Sequence, residues 1–121
     1  MKVKINTKEK FHVITIQVAN MTANMTEELK EFILSFIHKS PKNVVLNMQY
    51  VQQIDELIAN ILASIQQTFY DSNCSMVICN IQPEVETLLD AKELLEIMNI
   101  TPTEDEAWDI IHMEEIEREL F

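Results

Sequence analysis

The side chains able to do chemistry in this chain are few and scattered. Its three histidines are His12, His38 and His112. A metal needs two or more His, Cys or carboxylate ligands at spacings that let them converge. Only His112 has such neighbours, acids on the same predicted helix, and these read as a solvated face. No metal site is expected. Nucleophilic catalysis needs a serine or thiol beside a histidine and an acid. Ser35, Ser40, Ser64, Ser72 and Ser75 have no such setting. Cys74 and Cys79 lie five apart in an apolar run that predicts a strand. Odd spacing turns them to opposite faces, so they cannot pair with each other. They read as two reduced thiols acting as small hydrophobes, and the seven scattered methionines as core fillers. The pair Asp55-Glu56 stands out. It falls at a predicted strand-to-helix junction, the carboxyl end of a parallel strand, where α/β sheets place function. Adjacent residues on a first helical turn diverge, so the two do not make an acid–base pair. Plain helix capping is the local reading. No convergent acid, base and nucleophile can be named, which predicts a protein that is not an enzyme and needs no cofactor.

Composition narrows the classes further. The chain has 121 residues and no glycine, where average usage would give roughly eight. A P-loop, a G-x-G-x-x-G dinucleotide turn and a G-x-S-x-G elbow all need a residue without a side chain. Kinases, Walker-type NTPases and ordinary α/β-hydrolases are excluded in their usual form. The length suits one domain over residues 1–121, and a hydrophobic share of 47 % is enough for a real core. The uncharged stretch Leu57 to Tyr70 is too short to span a bilayer. Met1-Lys2-Val3-Lys4 opens no apolar leader, so a cytoplasmic address is expected. The formal net charge is −11, and it lies in the last third. From Met1 to Pro83, seven lysines balance seven acids, whereas Glu84 to Phe121 carries thirteen acids against Lys92 and Arg118. Such a surface repels phosphates, which argues against nucleic acid and anionic membrane; it allows a basic protein partner, but an acidic excess more often serves solubility.

These residues need elements to position them. Val3 to Thr7 and Phe11 to Val18 alternate in polarity around Lys8-Glu9-Lys10, which predicts an antiparallel hairpin. Its four lysines suit an exposed edge. Ala19 to Ala23 reads as a loop. Asn24 with Glu27 resembles a helix N-cap and its reciprocal partner, and Leu29, Phe32, Ile33, Phe36 and Ile37 follow at helical spacing. Ser40-Pro41-Lys42 ends that helix. Val44 to Met48 is a buried strand, Asp55-Glu56 opens a second helix, and Ser75 to Cys79 is another strand. Pro83 begins a third helix at the position proline prefers, with Val85, Leu88 and Leu89 turned inward. Ile97 to Ile100 is expected as the last strand. Thr103 caps a final helix through Trp108, Ile111 and Ile116, whose apolar positions favour packing. The order β-β-α-β-α-β-α-β-α predicts an α/β fold, a mostly parallel central sheet with an N-terminal antiparallel hairpin.

From Val13 to Ala107 this pattern resembles the STAS domain (sulphate transporter and anti-sigma factor antagonist). The resemblance rests on Val44-Val45-Leu46-Asn47-Met48, on Val51-Gln52-Gln53-Ile54-Asp55, and on Val77 to Val85. Leu88-Leu89, Leu94 and Pro102 to Ala107 continue it, and Met113 to Glu119 is similar to the tail of small stand-alone bacterial members. The resemblance implies a STAS-type fold and a non-enzymatic module that binds proteins. In that family an antagonist sequesters an anti-sigma factor that is also a kinase. The kinase releases itself by phosphorylating a serine or threonine that follows an aspartate on the first turn of this helix.

Here the motif departs from type. Asp55 matches the family aspartate, but the acceptor position holds Glu56, and Leu57, Ile58 and Asn60 replace Ser/Ala, Gly and Gly. An upstream Gly-x-Leu-Asp becomes Ala19-Asn20-Met21-Thr22, so Thr22 stands where an acid is usual. Glutamate has no hydroxyl, so phosphorylation at this position is chemically impossible. One carboxylate charge imitates a phosphate poorly, which favours a binding module without the switch. The resemblance implies a partner surface at Gln52, Gln53, Leu57 and Asn60 around Glu56, for an anti-sigma factor, its kinase or a related regulator. The alternative it leaves is a module that binds a small ligand or serves a transport or scaffold complex.

Overall fold

The computed structural model describes residues 1–120. Strand β1 (Val3–Thr7) and strand β2 (Phe11–Ile16) form the antiparallel hairpin, joined through Lys8-Glu9-Lys10. Helix α1 (Thr26–Leu34) follows, continued by a 3-10 turn over Ser35–His38. Then come strand β4 (Asn43–Asn47), helix α2 (Glu56–Asp71), strand β6 (Met76–Cys79), helix α3 (Pro83–Ala91), strand β7 (Ile100–Thr101) and helix α4 (Glu104–Leu120). Two short strands, β3 (Asn20–Met21) and β5 (Gln53–Ile54), complete the set. The main sheet runs β1-β2-β4-β6-β7, antiparallel at the first pair and parallel at the other three. This is the mixed α/β fold that the alternation predicts.

Register explains the layers. The cross-strand row Ile5, Ile14, Leu46, Ile78 and Ile100 is paired residue to residue across the five strands. Ile14, Leu46 and Ile78 face the larger core, which α1, α2 and α3 complete through Leu29, Ile33, Ile58, Leu62, Ile65, Val85 and Leu89. The adjacent row Val13, Val45 and Val77 faces the other way, into a smaller core closed by Ala107 and Ile111 of α4. Successive strand residues alternate between faces, so one apolar run feeds two cores. Cys74 lies in the larger core and Cys79 in the smaller one, on opposite sides of the sheet, and neither is disulfide-bonded.

Three local expectations change. Ala19–Ala23 is not all loop: Asn20–Met21 pairs in parallel with Gln53–Ile54. Two residues are too few to show a period, so only the distant partner reveals this strand. Asn24 does not cap α1. It lies inside a 3-10 turn, Ala23–Met25, and the helix starts at Thr26. The last strand is Ile100–Thr101 rather than Ile97–Ile100. The Ile97 and Met98 amides both bond the Leu94 carbonyl, which holds them in the turn after α3. The final helix matches its expected cap, because Thr103 Oγ1 accepts from the Glu106 amide at 3.2 Å.

Without glycine, other residues must take the left-handed backbone angles. Asn73, Asn80 and Glu93 have φ of 61°, 58° and 60°. Asn73 and Glu93 each follow a helix end. The Cys74 amide bonds the Phe69 carbonyl and the Asn73 amide the Tyr70 carbonyl; Leu94 with Leu89 and Glu93 with Asp90 repeat the pattern. These are Schellman closures, which normally use glycine. Asparagine tolerates the conformation, but glutamate does so at a cost of about 1–2 kcal/mol. Glu93→Gly removes that strain and loosens the unfolded chain by less, so it should stabilise the fold by about 0.5–1 kcal/mol. Urea unfolding checks this, and Asn73→Gly should gain less.

Candidate functional site

The Asp55-Glu56 junction is built by the small β3–β5 sheet. The Gln52 and Gln53 amides donate to the Ala19 carbonyl at 2.7 and 3.1 Å, and the Asp55 amide donates to the Met21 carbonyl at 2.9 Å. These bonds hold the entry to α2 against the entry to α1. Asp55 tightens the contact further. Its Oδ2 accepts from the Ala23 amide at 2.7 Å, across 32 residues of sequence. The Asp55 carboxylate therefore does not cap its own helix, as the local sequence suggests. It satisfies a donor at the start of the 3-10 turn before α1. Thr22, next to that amide, turns its hydroxyl to Asn24 Oδ1. The structure thus brings Thr22 and Asp55 to one corner.

Glu56 sits one residue on, at the first position of α2, exposed. A carboxylate is favoured there by the helix dipole. Lys92 Nζ approaches Glu56 Oε2 at 3.9 Å. An exposed pair at that distance holds the side chain weakly. Around it, Gln52, Gln53, Leu57 and Asn60 are all exposed. Leu57, next to Glu56 in the chain, is 56 % exposed, and Tyr50 in the preceding loop is 52 % exposed. Gln53 Nε2 donates to Glu84 Oε2 at 3.1 Å, and Gln82 Nε2 donates to the Gln49 carbonyl at 2.7 Å. These bonds tie the rim to the start of α3. The result is an exposed corner of polar and apolar groups held from behind by hydrogen bonds.

The other reactive side chains are held elsewhere. His12 is buried, with Nδ1 2.9 Å from Thr7 Oγ1 and its ring edge-on to Phe36. His112 lies on Trp108, with ring centroids 5.3 Å apart. His38 is exposed at the end of the turn after α1. Among the described residues, no three His, Cys, Asp or Glu side chains come together as a metal would require. Burial pushes the Cys79 thiol up to about 12, with Glu104 adding to the effect. Burial also raises Cys74, against the opposing pull of Lys42 and Arg118. An open cleft of about 620 Å³ lies at the amino ends of the parallel strands, lined by Lys10, Asn43, Glu115 and Arg118 among others. Asp55 and Glu56 are at the opposite end.

Sequence reasoning missed one constellation. The acids of α4 are not all a solvated face. Glu114 accepts from Ser75 Oγ at 2.6 Å and from Asn99 Nδ2 at 3.0 Å, and Glu115 accepts from Asn43 Nδ2 at 3.1 Å. Arg118 donates to Ser75 Oγ at 3.2 Å, and Asn43 Oδ1 accepts the Ser75 amide at 2.9 Å. This network pins the last half of α4 to the lower edge of the sheet. No local signal marks it, because its members come from four separate elements.

An open sheet with an antiparallel first pair, three helices on one face and one on the other defines a small α/β domain class. A family model described as the STAS domain matches residues 2–107, and the chain belongs to that family. No curated protein sequence matches it significantly. Among solved structures it is similar to an anti-sigma factor antagonist from Mycobacterium paratuberculosis. That match has a TM-score of 0.78 at 14 % identity, covering 92 % of this chain and 93 % of that one. It is also similar to the antagonist SpoIIAA in its unphosphorylated form, with a TM-score of 0.72 at 12 % identity, covering 92 % and 96 %. The murine Solute Carrier 26 family member A9 anion transporter matches with a TM-score of 0.73 at 13 % identity; the match covers 89 % of this chain and 18 % of the transporter. At such identities these likenesses establish the fold. Among the described residues, no helix is long and apolar enough to cross a membrane.

Two outcomes follow from these contacts. Asp55→Ala removes this exposed hydrogen bond between the two helix entries and should cost about 0.5–1.5 kcal/mol in urea unfolding. Glu114→Ala removes two hydrogen bonds from the α4 network and should cost a similar amount. As for pH, a thiol held at about 12 in the fold but near 9.0 when unfolded keeps its proton longer in the folded state. Its contribution to stability is therefore lost as pH rises from 9.0 towards about 12. At pH 8, native Cys79 should resist alkylation and react only once unfolded, read by mass spectrometry.

Proposed function

We propose that residues 1–121 act as one non-enzymatic STAS module. It binds a regulatory protein partner in the cytoplasm, in the manner of an anti-sigma factor antagonist, with the phosphorylation switch lost. The observation that carries this reading is the exposed Glu56 carboxylate on the first turn of α2. It occupies the position where the family resemblance expects a phospho-accepting hydroxyl. A carboxylate cannot accept phosphate, and its single charge falls short of the −1.5 to −2 of a phosphoserine. The corner is then constant in charge, and binding is constitutive.

The proposed contact surface is Gln52, Gln53, Leu57 and Asn60, with Tyr50 beside them and Glu56 at the centre. Asp55 and Thr22 act from below as positioning residues that fix the corner. Hot spots at interfaces favour Tyr, Trp and Arg ringed by polar groups; Tyr50 fits that description, and Leu57 adds exposed apolar area. The expected partner is an anti-sigma factor, its kinase or a related regulator, with no cofactor and no nucleic acid. The likeness to a segment of an anion transporter supports a second reading, in which the module is a subunit of a transport complex.

The test is affinity purification of the tagged protein from its own cytosol, followed by calorimetry on the partner recovered. An anti-sigma kinase supports the first reading and a transporter the second. On that partner, Glu56→Lys should weaken binding by about tenfold or more, equivalent to ~1.4 kcal/mol, and Leu57→Ala by a comparable factor. Glu56→Ser should restore an acceptor that the kinase phosphorylates. If neither Glu56 variant changes affinity, the contact surface lies elsewhere.

A further inference from the structure

The outer face of α4 has features that the α2 corner does not account for. Ala107 and Ile111 of this helix are buried against the sheet, and Glu114 and Arg118 turn inward to Ser75. The opposite face carries Met113, Ile116 and Leu120, spaced three and four apart, so they form one stripe. They are 59 %, 43 % and 71 % exposed. Three of the largest exposed apolar side chains thus fall within eight residues of one helix. Asp105, Asp109 and Glu117 flank the stripe, all exposed.

Among the described residues, none of these three carboxylates has a cation within ion-pair distance, and the nearby lysines are Lys8 and Lys10, which line one open cleft with Asp105. The last third of the chain has two cations, Lys92 and Arg118. Lys92 lies at Glu56 on the other side of the sheet, and Arg118 is directed into the Ser75 network. Neither is paired with Asp105, Asp109 or Glu117. An apolar stripe bordered by unpaired carboxylates is complementary to one kind of partner. That partner offers apolar side chains at helical spacing with lysines or arginines beside them. Anionic lipid and nucleic acid are repelled by the same acids.

We infer that the outer face of α4, centred on Met113, Ile116 and Leu120, is a second docking surface that takes a basic amphipathic helix of a protein partner. It lies across the sheet from the Glu56 corner, so one module can engage two partners at once. It does not depend on what binds at Glu56.

The probe is a synthetic amphipathic helix made only of leucine and lysine, titrated by calorimetry into the full chain. The emission of Trp108, the single tryptophan and a residue of α4, is followed in parallel. Saturable binding is expected at low salt, weakened about tenfold or more by the exposed-face triple M113S/I116S/L120S. The charge variant D105N/D109N/E117Q should weaken it as well. E86Q/D90N/E96Q removes the same charge from elsewhere on the molecule and should leave it unchanged, as should Glu56→Lys. Circular dichroism confirms that each variant is folded. Absence of saturable binding overturns the inference. So does equal weakening by both charge variants with no effect of the serine triple, which marks unspecific attraction. A dimer in sedimentation that the serine triple abolishes also overturns it, because the face then belongs to a second copy of this chain.

Discussion

A parallel strand in the middle of a sheet has no face to leave in water, and most of this molecule follows from that constraint. Every residue of β4 and β6 is buried. Their apolar runs need cover on both sides. Three helices supply it on one side and α4 supplies it on the other. The acidic last helix is therefore drawn onto the sheet despite its charge. Ala107 and Ile111 provide the contact, and the α4 carboxylates that fall near the sheet edge find donors in Ser75, Asn99 and Asn43. The two thiols are divided between the cores for the same reason.

Packing on both faces leaves the ends of the strands as the uncovered parts of the sheet. At the carboxyl end the chain must leave the sheet and enter α2, and it does so through β5 and Asp55. The Asp55 carboxylate satisfies the Ala23 amide rather than the amides of its own helix. That choice locks two helix entries together and leaves Glu56 in solvent on a fixed base. Docking surfaces lose less on binding when they are already ordered. Asp55 is thus a structural pin, while Glu56 beside it stays exposed.

The absence of glycine shapes the molecule in a second way. Helix ends still have to close, and Asn73 and Glu93 take the left-handed angles that glycine usually takes. The fold tolerates a strained Glu93 because the Leu94 amide then reaches the Leu89 carbonyl and Leu94 packs against the larger core. Glycine-dependent phosphate-cradling loops are excluded by the same shortage.

Much of the fold was legible in the sequence. Alternation in Val3–Val18, helical spacing in Leu29–Ile37, apolar strands at Val44 and Val77, Pro83 and Thr103 each mark their element by a local rule. The family pattern added the importance of Asp55 and the departure at Glu56. Local rules fail where the partner is distant. Asn20–Met21 becomes a strand only because Gln53–Ile54 lies beside it, and Asp55 becomes a pin only because Ala23 is brought within 2.7 Å. Glu114, Ser75, Asn99 and Arg118 look like ordinary surface residues until the sheet edge and α4 meet. The sequence by itself determined the longer helices and strands, since periodicity is a property of neighbours along the chain and needs several residues to show. Tertiary structure decided which polar groups pair and which apolar stripe of α4 stays exposed, since both depend on contacts between residues far apart in sequence.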